Sequence, residues 1–390
     1  MKKRSTAIVL ALAVMTVFAG CGNKSTPSDA AEPVGEAAGS DEIVTLTWQS
    51  YDSYDKYQKV VEAFEADNPD IKIEYEEVSD FTTKILTEAT ADALPDLLNS
   101  NTGTTQILAD AGVLQKFDVA ELEADEAYKF QDFWDTAATY CTYDGDWYSL
   151  PLDGGNYGWV YNVDMFETAG IAVPEQGFTW EEFEAACEKL LAVKDEIGIE
   201  YPTIFNDLSS SIDMMYPLIV QAGGSYLNAD GSCAWNSEAA VTAFEWVQGL
   251  VDSGYIPPIE KLGDGYDALI TKFNAGQIAM ARVALWNSTY LEDSVNWKVM
   301  NAPRGNDGAQ GEVLFLNGIG ISSTCKNYEA ALRFIKYFTS EEGLALYLED
   351  NTSPQIAVRR SQADLSVSMF EESRNMELFN TGLAYAGYVD

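Results

Sequence analysis

Between Val44 and Leu98 the apolar periodicity switches repeatedly, and this alternation limits the possible architectures more than any other feature. Val44, Leu46 and Trp48 alternate, the period-two mark of a strand. Tyr57, Val60, Val61 and Phe64 then recur at helical spacing, and Asn68-Pro69 stops that helix. Ile71, Ile73 and Tyr75 alternate again, a helix is expected from Phe81 to Ala93, and Pro95-Asp96-Leu97-Leu98 opens another strand. A β-α-β-α-β order predicts an α/β fold with a mostly parallel, doubly wound sheet. In such sheets ligands bind beyond the carboxyl ends of the strands. Those ends are Gln49 to Tyr54 and Asn99 to Thr104, both polar and turn-rich.

The middle of the chain reads as helices. Thr179-Trp180-Glu181-Glu182 has the form of a capping box, with Thr179 as N-cap and Glu182 reaching back. Trp180, Phe183, Cys187, Leu190 and Leu191 line one face after it. Val241, Phe244, Val247 and Val251 form a second stripe, on a helix that stops near Gly254, and Ala331, Phe334, Ile335 and Phe338 form a third. Such stripes are core. There is no internal repeat.

A chain of 390 residues is long enough for about two domains. Apolar residues make up 47%, enough for sizeable cores. With 23 Lys plus Arg against 62 Asp plus Glu, the net charge is −39. That excludes a nucleic-acid binder, which needs a basic surface, and an anionic membrane would repel the chain. Histidine is absent, which removes His-paired nucleophiles and His-ligated metals. No metal site and no cofactor are expected. Cys141, Cys187, Cys233 and Cys325 are widely spaced without a CxxC. An exported chain could pair them in three ways, while Cys187, on an apolar helix face, suits a buried free thiol.

Lys2, Lys3 and Arg4 precede a 13-residue apolar run from Ala7 to Ala19. A span needs about 20 residues, so residues 1–20 read as a secretory signal peptide. Phe18-Ala19-Gly20-Cys21 resembles a bacterial lipobox, with Phe18 where Leu is usual. Lipidation of Cys21 would hold a very acidic protein at a membrane it would otherwise leave. Residues 21–42, rich in Ser, Pro, Ala, Gly and Glu, read as a flexible tether.

A run of short motifs resembles family 1 extracellular solute-binding proteins, the substrate receptors of bacterial ABC importers related to maltose-binding protein. The motifs are Glu62 to Ile73, Leu94-Pro95-Asp96-Leu97, Asp144 to Pro151, Tyr161 to Phe166 with Ala169-Gly170-Ile171, and Thr179 to Phe183. Phe273 to Met280, Ala330 to Ile335 and Thr339 to Gly343 complete the series. The resemblance implies a two-lobe, type II periplasmic-binding-protein-like fold with an interlobe cleft. The amino-terminal lobe would hold 43–151 and 318–360, and the carboxy-terminal lobe 152–317 and 361–390. Hinges would lie near Leu150-Pro151-Leu152, Phe315 to Gly318, and Arg360. Family members run some tens of residues further, so the carboxy lobe would be pared down or the sequence would stop short, exposing an apolar face.

The resemblance also implies the contacts. Sugar binding needs flat aromatic faces and planar amides or carboxylates for hydroxyls. Tyr51, Asp52 and Ser53 follow the first strand, where a capped turn is the alternative. Asn99, Asn101 and Thr102 follow the third. Asp153, Asn156 and Tyr157 lie at the first crossing. Ser211 and Asp213 precede a helix that they could equally cap. Trp286 is the expected stacking residue, Asn317 and Gly318 lie at the second crossing, and Arg359 is a further candidate. The implied function is an exported, membrane-anchored, monomeric receptor that binds a carbohydrate, of oligosaccharide size, by hinge closure. It would deliver the sugar to ABC permease subunits without covalent chemistry. A polyamine receptor of the same fold is the alternative, since an acidic cleft suits cations. An exported glycoside hydrolase would need two carboxylates about 5–9.5 Å apart, a signal without specificity among 62 acidic residues.

Overall fold

The computed structural model describes residues 43–205, 214–228, 230, 232–258, 261, 265–350, 354–368, 372–381 and 386–387. Ser211, Asp213 and Cys21 lie outside them.

β1 (Val44–Ser50) runs parallel to both β2 (Ile71–Glu77) and β3 (Leu97–Asn101), linked by helices Gln58–Asp67 and Phe81–Thr90. β4 (Thr142–Tyr143) and β5 (Asp146–Trp147) form a separate hairpin. β6 (Leu150–Asn162) is long and almost wholly buried. β7 (Tyr201–Ile204), β8 (Ile278–Ala284) and β9 (Trp297–Met300) follow, then β10 (Glu312–Ile321) and the short β11 (Ala386–Gly387).

Nine of these strands share one sheet, in the order β2-β1-β3-β10-β6-β8-β7, with β9 on β6 and β11 on β10. The sheet is mixed rather than mostly parallel. β10 is antiparallel to β3 and β6, and β6 is antiparallel to β8 and β9. The alternation in 44–98 correctly marks the parallel start, but β10 arrives from more than 200 residues downstream, beyond the reach of local periodicity.

One core gathers Leu46, Trp48, Phe64, Leu150, Leu316, Phe334, Phe338 and Tyr347. A second holds Trp159, Phe183, Cys187, Phe205, Trp246 and Met280, beside a third around Val160, Phe273, Trp297, Ile356 and Phe379. β6 passes from the first core to the others: Leu150 and Leu152 belong to one, Trp159 and Val160 to the rest.

The capping box forms as read, with Thr179 accepting from the Glu182 amide and the Glu182 carboxylate accepting from the Thr179 amide. The stripe on helix Glu238–Asp252 needs correction. Val241 and Phe244 are 46% and 41% exposed, and the buried face is Ala240, Ala243, Trp246, Val247 and Leu250. The small alanines allow close approach, and Trp246 stacks on Trp180 at 4.5 Å and 10°. Cys141, Cys187, Cys233 and Cys325 are all free thiols, so none of the three possible pairings forms. Among the described residues no helix is long and apolar enough to cross a membrane.

Candidate functional site

The turn after β1, the end of β3 and the middles of β6 and β10 meet the short 3-10 helix Leu285–Tyr290 around a cavity of about 620 Å³. Of the residues singled out from the sequence, Tyr51, Asp52, Ser53, Asn101, Asp153, Trp286 and Asn317 line it. Sequence reasoning missed Asp55, Lys56, Gly155, Asn287, Tyr290, Phe315 and Gln355. A signal existed for Lys56 and Tyr290: each stands four residues after a chosen residue, Asp52 and Trp286, within a turn.

Asp153 sits at the centre of the polar wall, 1% exposed. Its Oδ1 accepts from Asn317 Nδ2 at 2.7 Å, and its Oδ2 accepts from the Tyr347 hydroxyl. Asn317 Oδ1 in turn accepts from the Tyr51 hydroxyl at 2.7 Å. Lys56 Nζ stands 3.2 Å from Asp52 Oδ2 and 3.8 Å from Asp153 Oδ2. Burial alone would lower the Lys56 pKa, but the carboxylates of Asp153 and Asp52 outweigh it and hold the ammonium above its ordinary value. Burial, reinforced by Asp52 and Asp153, pushes the Tyr51 hydroxyl well up, so it stays a donor. Three carboxylates (Asp52, Asp55, Asp153) face one ammonium along the lining.

The other wall is aromatic. Trp286 lies against Gly155, where an added Cβ would fall 2.7 Å from Cε3 of the indole, so only glycine lets the ring approach so closely. Phe315 and Tyr157 meet Trp286 edge-on at 5.6 and 5.7 Å. Tyr290, 63% exposed, extends this wall outward.

Several of the expected contacts do not line the cavity. Asn99 is buried beneath the turn, accepting from Trp48 Nε1 at 2.8 Å and donating to the Tyr57 hydroxyl at 2.9 Å. Thr102 is taken up by β10, its Oγ1 accepting from the Leu316 amide at 2.8 Å. Tyr157 lies under the Arg282 guanidinium, 3.8 Å from its ring, and supports Trp286 from below. Asn156 is fully buried and does not line the cavity. Gly318 is wedged against Ser149 and the Leu150 carbonyl, with no room for a Cβ. Arg359, also fully buried, donates to the carbonyls of Thr339 and Lys129 and stacks 4.2 Å from Phe133, inside the first core. Its Nη1 also stands 3.7 Å from Asp132 Oδ2 while its Nη2 finds no partner among the described residues, and the guanidinium holds these loops together.

An α/β fold with a polar and aromatic cavity where long strands cross is the plan of a solute-binding protein. The chain belongs to the bacterial extracellular solute-binding proteins, whose family model matches residues 59–368. It is similar in structure to an ABC substrate-binding protein of Listeria monocytogenes solved with cycloalternan, with TM-score 0.75, 24% identity, and 89% of this chain and 88% of that one covered. It is also similar to the GacH receptor of Streptomyces glaucescens, solved unliganded and with acarbose, with TM-score 0.71, 21% identity, and 88% and 87% covered. A lactose-binding protein of Rhizobium radiobacter is 26% identical over 207 residues, 52% of this chain and 44% of that protein.

Proposed function

We propose that the protein is the exported receptor of an ABC importer, that its ligand is a carbohydrate of oligosaccharide size, and that it hands the ligand to a permease without chemical change. The observation that carries this reading is the Trp286 ring laid on Gly155 in a cavity that amides, hydroxyls and carboxylates also line. An indole face suits the apolar C–H side of a pyranose, and the polar wall suits its hydroxyls. The ligands of the similar proteins (cycloalternan, acarbose, lactose) are sugars, which supports the reading.

In this reading the chain divides into two lobes, 43–151 with 318–360 and 152–317 with 361–390, and Leu152 and Leu316 in the first core and Ile356 in the third lie where the chain crosses between them. The hinges are β6 at Leu150 to Leu152, β10 at Phe315 to Gly318, and the chain near Arg360. Ligand touching both lobes would favour the closed form by its differential affinity. Residues 1–20 direct export, Cys21 carries the lipid, residues 21–42 are the tether, and the receptor works as a monomer on the outer face of the membrane.

A thermal-shift screen tests the function. At about 100-fold over Kd a ligand adds roughly 2.7 kcal/mol, several degrees for lobes of this size. An oligosaccharide should produce that shift. The excess of carboxylates along the lining favours polyamines as the second reading, and a shift with a polyamine but no sugar would replace the first with it.

A further inference from the structure

Most polar groups on the cavity floor are already committed. Asn317 uses both ends of its amide, Asp153 uses both oxygens, and Asn101 Oδ1 accepts from Gly103 and Thr104. Gln355 differs. It is 5% exposed and lines the cavity, yet no group among the described residues hydrogen-bonds its side-chain amide. Its two amide atoms stay open to the cavity, so only solvent or a ligand can supply their partners.

Its backbone explains why it faces the cavity. Gly154 and Ile356 exchange two hydrogen bonds, 3.0 and 2.7 Å long, so this stretch runs beside β6 as a strand would. Ile356 turns into the core around Phe379, and Gln355, one residue earlier, turns to the opposite side. There it meets the aromatic wall: the same point above Gly155 that is 2.7 Å from Trp286 Cε3 is 4.0 Å from Gln355 Oε1. Indole and amide flank one bare patch of floor.

We infer that Gln355 is a specificity-determining ligand contact, its carbonyl oxygen accepting from one hydroxyl and its NH2 donating to the neighbouring hydroxyl of the sugar ring that lies on Trp286. This rests on the sugar reading above. A planar amide offers an acceptor and donors side by side, which a vicinal diol matches. A site built around such an amide discriminates strongly, because a ring lacking one hydroxyl leaves the buried group unpaired.

The test is calorimetric titration of the full folded chain with the oligosaccharide that gives the largest thermal shift, and with its monodeoxy analogues. Gln355→Met, which keeps the shape and removes the polarity, should weaken the parent sugar by about tenfold or more. Wild type and variant should bind one deoxy analogue with similar affinity. Gln355→Asn, which withdraws the amide by one methylene, should lose affinity likewise and covers the case of a misfolded Met variant. Parent-sugar affinities within about twofold of wild type would overturn the inference. So would an equal loss across the parent and every deoxy analogue, which would make Gln355 a framework residue of the crossing. If no saccharide binds wild type, the sugar reading itself falls, and the diol role with it, before any variant is compared.

Discussion

Asp153 and Asn317 stand opposite each other on β6 and β10, and the amide of one donates to the carboxylate of the other at 2.7 Å. That bond joins the two long strands at the floor of the cavity. Tyr347, from helix Glu341–Asp350, closes on the same carboxylate, so three separate segments are fastened at one side chain. From Lys56 the network continues through Asp52, Tyr57 and Asn99 to the Trp48 indole. These groups hold the frame of the cavity that several of them also line.

Asp153→Ala should therefore act on stability. It removes the acceptor of Asn317 and Tyr347 and one of the two carboxylates beside Lys56. Breaking a buried, hydrogen-bonded charge pair costs about 3 kcal/mol. The urea midpoint of the unliganded protein should fall accordingly. An unchanged midpoint would mean that the network is not formed in solution.

Trp286→Ala should weaken sugar binding by more than about 1 kcal/mol, in the range of aromatic anchors. Gly155→Ala provides a companion that leaves the indole in place chemically. Its new methyl group would meet the ring at 2.7 Å and displace it. Both variants should bind less tightly in fluorescence titration while their circular dichroism stays that of wild type. Wild-type affinity in Gly155→Ala would show that the ring is no platform.

Alkaline pH should destabilise the protein through the same network. Burial raises the hydroxyl pKa values of Tyr51, Tyr57 and Tyr347, and the carboxylates of Asp153 and Asp52, prevailing over burial, raise that of Lys56. The unfolded chain releases these protons near their ordinary values of 10.0 and 10.5, while the folded chain keeps them to higher pH. The unfolded state then binds fewer protons, so stability falls as pH rises. This contribution is fully present below about pH 10 and is lost upward through the folded values. Melting scans in that range should show a Tm that drops, less steeply in Lys56→Met and Tyr347→Phe. Equal slopes in wild type and both variants would remove these groups as the cause.

Helix Glu238–Asp252 gives a contrast between neighbouring aromatics. Phe244 is 41% exposed, and Phe244→Ser should change stability by no more than about 0.5 kcal/mol. Trp246, 9% exposed and stacked on Trp180, should cost about 3–5 kcal/mol when replaced by Ala. Chemical denaturation of the two variants decides whether the buried face is the one described.

What the sequence could reveal follows from the range of each signal. Thr179 and Glu182 cap a helix three residues apart, so the sequence carries that motif whole. Ala331, Phe334, Ile335 and Phe338 are all buried, because an aromatic and branched stripe has one reading. Helix Glu238–Asp252 offered two apolar stripes, and packing chose the one with small alanines facing Trp180. In the cavity, Tyr51 and Asp52 were legible from the end of a recognisable strand, and Trp286 from a motif. Arg359 and Asn99 bond within the fold and do not line the cavity, and polarity alone cannot tell such a buried hydrogen-bonding group from a cleft group. Gln355 was invisible: its position depends on Ile356 pairing with Gly154, a contact about 200 residues away in the chain.

The charge along the cavity predicts which sugars it refuses. Lys56 is the one cation among the lining residues, and Asp52 and Asp153 already neutralise it. Asp55 is exposed, and no cation stands within ion-pair reach of it among the described residues. A uronic acid therefore meets carboxylates without a free partner, while a neutral sugar pays no such electrostatic penalty. At low salt a uronate-containing oligosaccharide should bind at least about tenfold more weakly than its neutral counterpart. The gap should narrow as salt rises, because charges near solvent are screened beyond about 8 Å at physiological ionic strength. Asp55→Asn should narrow it as well, with little effect on the neutral sugar. Isothermal titration of both sugars at two salt concentrations measures the gap directly, and equal affinity for the acidic and neutral sugars at low salt would rule out charge as a selector here.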